Sequence, residues 1–146
     1  MIRRVFLLTC AAVLSPLTSA TAAVSRVPVY VRGAAATAGW TDPSGERDDS
    51  AKDLIRHLQS PDRRYIRHAP SEAEGVIVLE VVARHKEYRT LVLTVRLTAG
   101  DFTTEISGRS DVSTGSWRNC ALTIVKKLDE WAQANRARLA PRTDGA

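Results

Sequence analysis

The stretch that decides the fold is Thr90-Leu91-Val92-Leu93-Thr94-Val95-Arg96-Leu97-Thr98-Ala99-Gly100-Asp101-Phe102-Thr103-Thr104-Glu105-Ile106-Ser107-Gly108. Leu91, Leu93, Val95 and Leu97 fall on one side of an extended chain, with Thr94 and Arg96 on the other. That period of two is the mark of a half-buried strand. Ala99-Gly100-Asp101 then offers a tight turn with glycine available for positive φ. Beyond the turn, Phe102, Thr104, Ile106 and Gly108 alternate with Thr103, Glu105 and Ser107. Just upstream, residues 76–82 are apolar apart from Glu80 and read as a central strand, with the polar residues 85–89 as its hairpin connection. Three consecutive antiparallel strands make a meander.

Past the polar residues 109–115 the period changes. From Ser116 onward Trp117, Ala121, Ile124, Leu128 and Trp131 recur at three- and four-residue steps, joined by Cys120 and Val125. The spacing predicts a helix to about Leu139, about 36 Å long at 1.5 Å per residue. Both tryptophans fall on its core stripe and Asp129 on the opposite, exposed face. Arg136, Arg138 and Arg142 complement the negative end of the helix dipole.

Toward the N-terminus, Val27, Val29, Tyr30 and Val31 read as a strand that starts at Pro28 or lies at an edge, since proline cannot donate to a ladder. Residues 33–39 are small and read as a loop. Asp42 as N-cap with Pro43 at the first helical position predicts a helix start. Its stripe is Ala51, Leu54, Ile55 and Leu58, and Ser60-Pro61-Asp62 stops it. A brief strand around Tyr65 and Ile66 follows, then a turn or short helical piece over 70–75. A sheet with one apolar face needs a cover, and two amphipathic helices supply it. The expected fold is α+β: a two-layer sandwich with a mainly antiparallel sheet, in β-α-β-β-β-β-α order.

Length and composition fit one such domain. The 146 residues are 44% hydrophobic and 25% charged, with 8 Gly, 6 Pro and 2 Cys. Those values exclude collagen-like, low-complexity and disulfide-rich classes. Arg3 and Arg4, an apolar run over 5–14, and Ala20-Thr21-Ala22 have the three-part layout of a cleavable secretory signal peptide. The expected division is a signal peptide at 1–22, a single α+β domain at 23–140 and a flexible tail at 141–146. Ten apolar residues fall short of the roughly 20 needed to span a bilayer, so the mature chain is expected to have no transmembrane segment. Loss of the leader takes the 21 basic residues to 19 against 16 acidic ones, from +5 to +3 net. So mild a charge does not argue for nucleic acid. Cys120 becomes the single mature cysteine, which excludes an internal disulfide and a cysteine zinc site. It reads as a buried apolar residue, and a homodimer is left open.

No catalytic constellation emerges. There is no G-x-S-x-G elbow, G-x-G-x-x-G turn or Walker loop. His57, His68 and His85 lack the i, i+4 spacing of a helical metal site. Asp48-Asp49 and Asp129-Glu130 read as solvated helix faces. Catalytic residues, metal ligands and cofactors are therefore all expected to be none. Two features stand out as binding candidates. One is the basic cluster Arg63, Arg64 and Arg67 around Tyr65, because arginine and tyrosine are favoured interface anchors. The other is Trp40, in the small-residue loop ahead of the first helix.

Thr41-Asp42-Pro43-Ser44, Ala73-Glu74-Gly75-Val76-Ile77-Val78-Leu79 and Leu97-Thr98-Ala99-Gly100-Asp101-Phe102 together resemble a family of small exported bacterial proteins. Those proteins pair a G-[FW]-T-D-P helix start with an L-x-x-G-D-[FY] hairpin and a Trp-rich final helix. The element order is also similar to α/β envelope modules such as the TolB N-terminal domain, LpoB and CsgG. The resemblance implies a non-enzymatic binding or assembly module of the cell envelope, periplasmic or secreted, whose partner is an envelope protein or an acidic polymer. The alternative is a small envelope hydrolase or enzyme inhibitor whose site follows no motif. N-terminal sequencing of the exported protein should begin at Ala23 or Val24; retention of Arg3 and Arg4 would overturn the leader reading.

Overall fold

The computed structural model describes residues 25–33 and 45–139. The leader, the 34–39 loop, Trp40, the helix start at Asp42-Pro43 and the 141–146 tail lie outside the described residues.

In chain order the elements are β1 (Val27–Arg32), α1 (Glu46–Leu58), β2 (Ile66–His68), a 3₁₀ turn (Glu72–Glu74), β3 (Ile77–Glu87), β4 (Thr90–Ala99), β5 (Phe102–Asp111), α2 (Trp117–Ala134) and α3 (Arg136–Leu139). They form the two-layer α+β sandwich that the periodicities call for. The five strands lie in the order β2-β1-β3-β4-β5. The meander β3-β4-β5 is antiparallel, whereas β1 runs parallel to both β2 and β3, so the sheet is mixed. Parallel pairing needs a crossover, and α1 provides it between β1 and the return of the chain. Pro28 therefore sits near the start of an inner strand, and the outer strands are β2 and β5.

Gly100 takes φ +60° at the first of two residues joining β4 to β5, a position where glycine meets no steric penalty. The corresponding residue of the β3–β4 hairpin is Tyr88, at φ +52° and 90% exposed. This hairpin lies five residues beyond the expected end of its strand. β3 continues through Lys86 and Glu87, which pair with Leu91 and Thr90, and its register slips between Val81 and Ala83. The bulge breaks the alternation that sequence reading depends on, and it turns Arg84 toward the helices. There Arg84 lies 4.3 Å from the Trp117 ring centroid, and its Nη1 donates to the Glu46 carbonyl at 2.8 Å and to Ser50 Oγ at 3.2 Å.

Both helices cover the same sheet face. Ala51, Leu54 and Leu58 of α1 and Cys120, Ala121, Ile124, Val125, Leu128 and Ala132 of α2 are buried with Val29, Val31, Ile77, Leu79, Val81, Leu93, Val95 and Leu97. Trp117 and Trp131 are half-buried at the margin of this core rather than within it, since both sit near helix ends. The other face carries a cross-strand row of alternating charge: Arg32, Glu80, Arg96 and Glu105. Arg96 lies 3.9 Å from Glu80 and 3.7 Å from Glu105.

The last helix is not continuous to Leu139. It ends at Ala134, where the Asn135 N–H and Nδ2 both donate to the Trp131 carbonyl, at 3.0 and 2.8 Å. The Asn135 carbonyl then accepts from Arg138 and Leu139 to start α3. Leu139 is buried beyond the break.

At Gly108 a Cβ would overlap the Cys120 carbonyl oxygen and come within 3.0 Å of Ile124 Cγ1. The Cys120 thiol is buried here, its Sγ 3.5 Å from the Leu91 carbonyl, and burial pushes its pKa up. Gly108→Ala should therefore destabilise by about 3 kcal/mol or more, the upper range for overpacking, in chemical denaturation.

Candidate functional site

The expected basic cluster is divided by the fold. Arg63 is buried at 8% exposure, so the reading of three exposed arginines is corrected to two, Arg64 and Arg67. The cause is the tight connection after α1, where the Arg63 N–H donates to the Ser60 carbonyl at 3.2 Å. Asp129, expected on a solvated face, closes this connection from α2. Its Oδ2 accepts from the Arg64 N–H at 3.3 Å and its Oδ1 from the Tyr65 N–H at 2.9 Å. Tyr65 is half-buried against the core and supports Arg136, whose guanidinium carbon lies 5.5 Å from its ring centroid. Trp40 lies outside the described residues.

Arg67 instead joins residues distant in sequence. At the end of the sheet where β1 begins, an open groove of about 1340 Å³ lies between the start of β1, β2, the β4–β5 turn and α3. Among the described residues, Arg26, Arg67, Arg136 and Arg138 line it, with Asp101 as the one carboxylate. Val27, Pro28, Val76, Phe102 and Leu139 supply apolar wall. Backbone pairing brings Arg26, Arg67 and Val76 together. Pro28 is in register with Arg67, and the Val27 N–H donates to the Tyr65 carbonyl at 2.7 Å. The Val76 N–H donates to the Pro28 carbonyl at 2.9 Å and brings Val76 alongside.

Two of the arginines are held over aromatic rings. Arg138 lies 4.9 Å from the Phe102 centroid, and Phe102 in turn stacks on Trp131 at 5.6 Å with 16° between planes. Stacking fixes the orientation of a guanidinium while leaving its N–H edge open to an acceptor. Four such cations around an apolar floor suit an anion that also carries apolar or ring surface. Sequence reading assigned Arg136 and Arg138 only to the helix dipole, placed Phe102 only in a strand and its hairpin motif, and gave Arg26 no role. The signal was slight: arginines near both ends of the domain, beside a Gly-Asp-Phe turn.

The histidines stay apart. His57 Nε2 donates to the Arg118 carbonyl at 3.1 Å, while His85 Nε2 lies 2.9 Å from Glu87 Oε1. The half-buried His68 imidazole is held below its ordinary pKa by desolvation. Among the described residues, no group of three His, Cys, Asp or Glu side chains could hold a metal ion. Nor is any described helix long and apolar enough to cross a membrane.

No protein-family model matches the chain, and no curated protein does. Among solved structures it is similar to a ribosomal subunit interface protein from Coxiella burnetii at 12% identity, over 77% of this chain and 99% of that one, with a TM-score of 0.38. The protein Y N-terminal domain of Thermus thermophilus is 11% identical over 75% and 98% of the two chains, with a TM-score of 0.39. A PelC dodecamer from Paraburkholderia phytofirmans gives 16%, 76% and 88%, and 0.41. Likenesses this distant carry no argument about the site.

The Asp129 bonds make a direct test of how the groove is supported. Asp129→Ala leaves two backbone donors without their acceptor and should lower stability by about 1–3 kcal/mol, while Glu130→Ala on the exposed face leaves the thermal midpoint unchanged.

Proposed function

We propose that this protein is an exported, non-enzymatic binding module of the bacterial cell envelope that takes an acidic polymer in the arginine-lined groove. The observation that carries the reading is the groove's charge: among the described residues, four arginines and one carboxylate beside an apolar wall. The leader-like N-terminus supports export, and the resemblance to small exported bacterial proteins supports an envelope role. An acidic polymer presents repeated carboxylates or phosphates on a backbone with apolar faces. Such a ligand engages several guanidinium groups at once and lays its backbone across Pro28, Val76 and Phe102. Affinity then rises with chain length through multivalency, and added salt weakens it.

The experiment is titration of the full chain with poly-L-glutamate and with polyphosphate at low and high salt. Arg67→Gln, Arg136→Gln and Arg138→Gln combined should weaken binding roughly 10- to 100-fold, from about 0.5–1 kcal/mol per exposed ion pair. The thermal midpoint should hardly move, because all three side chains are exposed. Unchanged affinity in a folded triple variant would overturn the reading.

A further inference from the structure

We propose that the outer edge of β5 pairs with a second copy of the chain about a two-fold axis at Ser107, extending the sheet across two subunits. β5 is ten residues long and, among the described residues, has a strand on one side only. Lys127 Nζ donates to the Ser107 carbonyl at 2.8 Å, which shows that this carbonyl points away from β4. By the two-residue period of a strand, Thr103, Glu105, Ser107, Arg109 and Asp111 all direct backbone N–H and C=O groups outward. The Val112 N–H, in the opposite phase, donates to the Arg89 carbonyl at 2.8 Å, on the β4 side.

Centring an antiparallel pair on Ser107 places Glu105 opposite Arg109 of the second copy, and Arg109 opposite its Glu105. No other register aligns these two residues. Shifting the centre to Glu105 or to Arg109 sets like charges face to face, which is unfavourable across strands. Both side chains are available: Glu105 is 57% exposed and Arg109 63%. Each also continues charges already in place, since Glu105 lies 3.7 Å from Arg96 and Arg109 lies 3.4 Å from Glu87. A two-fold contact is self-complementary by definition, so one Glu–Arg match supplies two.

Lys127 shields the edge in the single chain, a common way to restrain strand pairing. Its hold is one hydrogen bond from a flexible, exposed side chain. Pairing replaces it with opposed residues from Thr103 to Asp111, each pair exchanging two backbone bonds.

Cysteine placement reads out the register. Opposed residues of a hydrogen-bonded antiparallel pair have Cα atoms about 5.5 Å apart, inside the disulfide range of about 4.4–6.8 Å. Ser107→Cys in the full chain, with Cys10→Ser to remove the leader thiol, should form a covalent dimer under mild oxidation on a non-reducing gel. Thr103→Cys should not, because the two copies of that position lie about 27 Å apart along the strands. Adding Glu105→Arg should abolish the Ser107→Cys cross-link, and adding Arg109→Glu as well should restore it. Should Ser107→Cys fail to fold, sedimentation of the unaltered chain replaces it, with dimer expected at high concentration. No cross-link in a folded Ser107→Cys, equal cross-linking at Thr103, indifference to Glu105→Arg, or a monomer at every concentration would each overturn the proposal.

Discussion

Helix α2 meets the sheet where Gly108 has no side chain, and the Cys120 carbonyl takes the space a Cβ would fill. That close approach fixes the height of α2 over β5 and β4, and much of the rest follows from it. With Cys120 seated, Ile124 and Leu128 fall over the apolar face of the meander, and Trp131 arrives beside Phe102 at the opposite end of β5. The Phe102–Trp131 stack then sets the platform on which Arg138 rests, with Leu139 buried just beyond the helix break at Asn135. A contact between a strand and a helix at one end of the sheet thus positions two of the groove's cations at the other. Interiors packed at crystal-like density transmit displacements of this kind because they have no slack to absorb them.

The meander and its helical cover were legible because their elements repeat with their own periods over several residues. Leu91 to Leu97 and Ala121 to Leu128 leave little room for another reading. β3 was cut short for a definite reason: the bulge at Val81 and Ala83 shifts phase, and beyond it the strand is made of Arg84, His85, Lys86 and Glu87. Sequence pattern equates such residues with a turn. In the structure Arg84 is held by Trp117, Glu46 and Ser50, and the others are carried along by pairing with β4.

The groove was illegible for a different reason. Arg26, Arg67, Arg136 and Arg138 are brought together by parallel pairing of β1 with β2 and by a helix break at Asn135, and neither leaves a local trace. The adjacent arginines at 63, 64 and 67 gave the stronger sequence signal, yet burial of Arg63 separates them. A run of like charges says nothing of which member the chain will fold over. Asp129 shows the converse. Beside the exposed Glu130 it reads as part of a solvated pair, but a connection 64 residues upstream comes back to it for two hydrogen bonds.

The mixed sheet also divides the molecule by the distance along the chain that each pairing spans. β3, β4 and β5 are joined by two-residue turns, so their ladders close at little entropic cost. β1 reaches β3 only across α1, β2 and the 3₁₀ turn, with Val29 opposite Ile77. Such non-local pairing raises contact order and slows folding. The meander is thus the part of the sheet held by the shortest loops. The N-terminal strand, which carries one wall of the groove, is held by pairings that span far more of the chain.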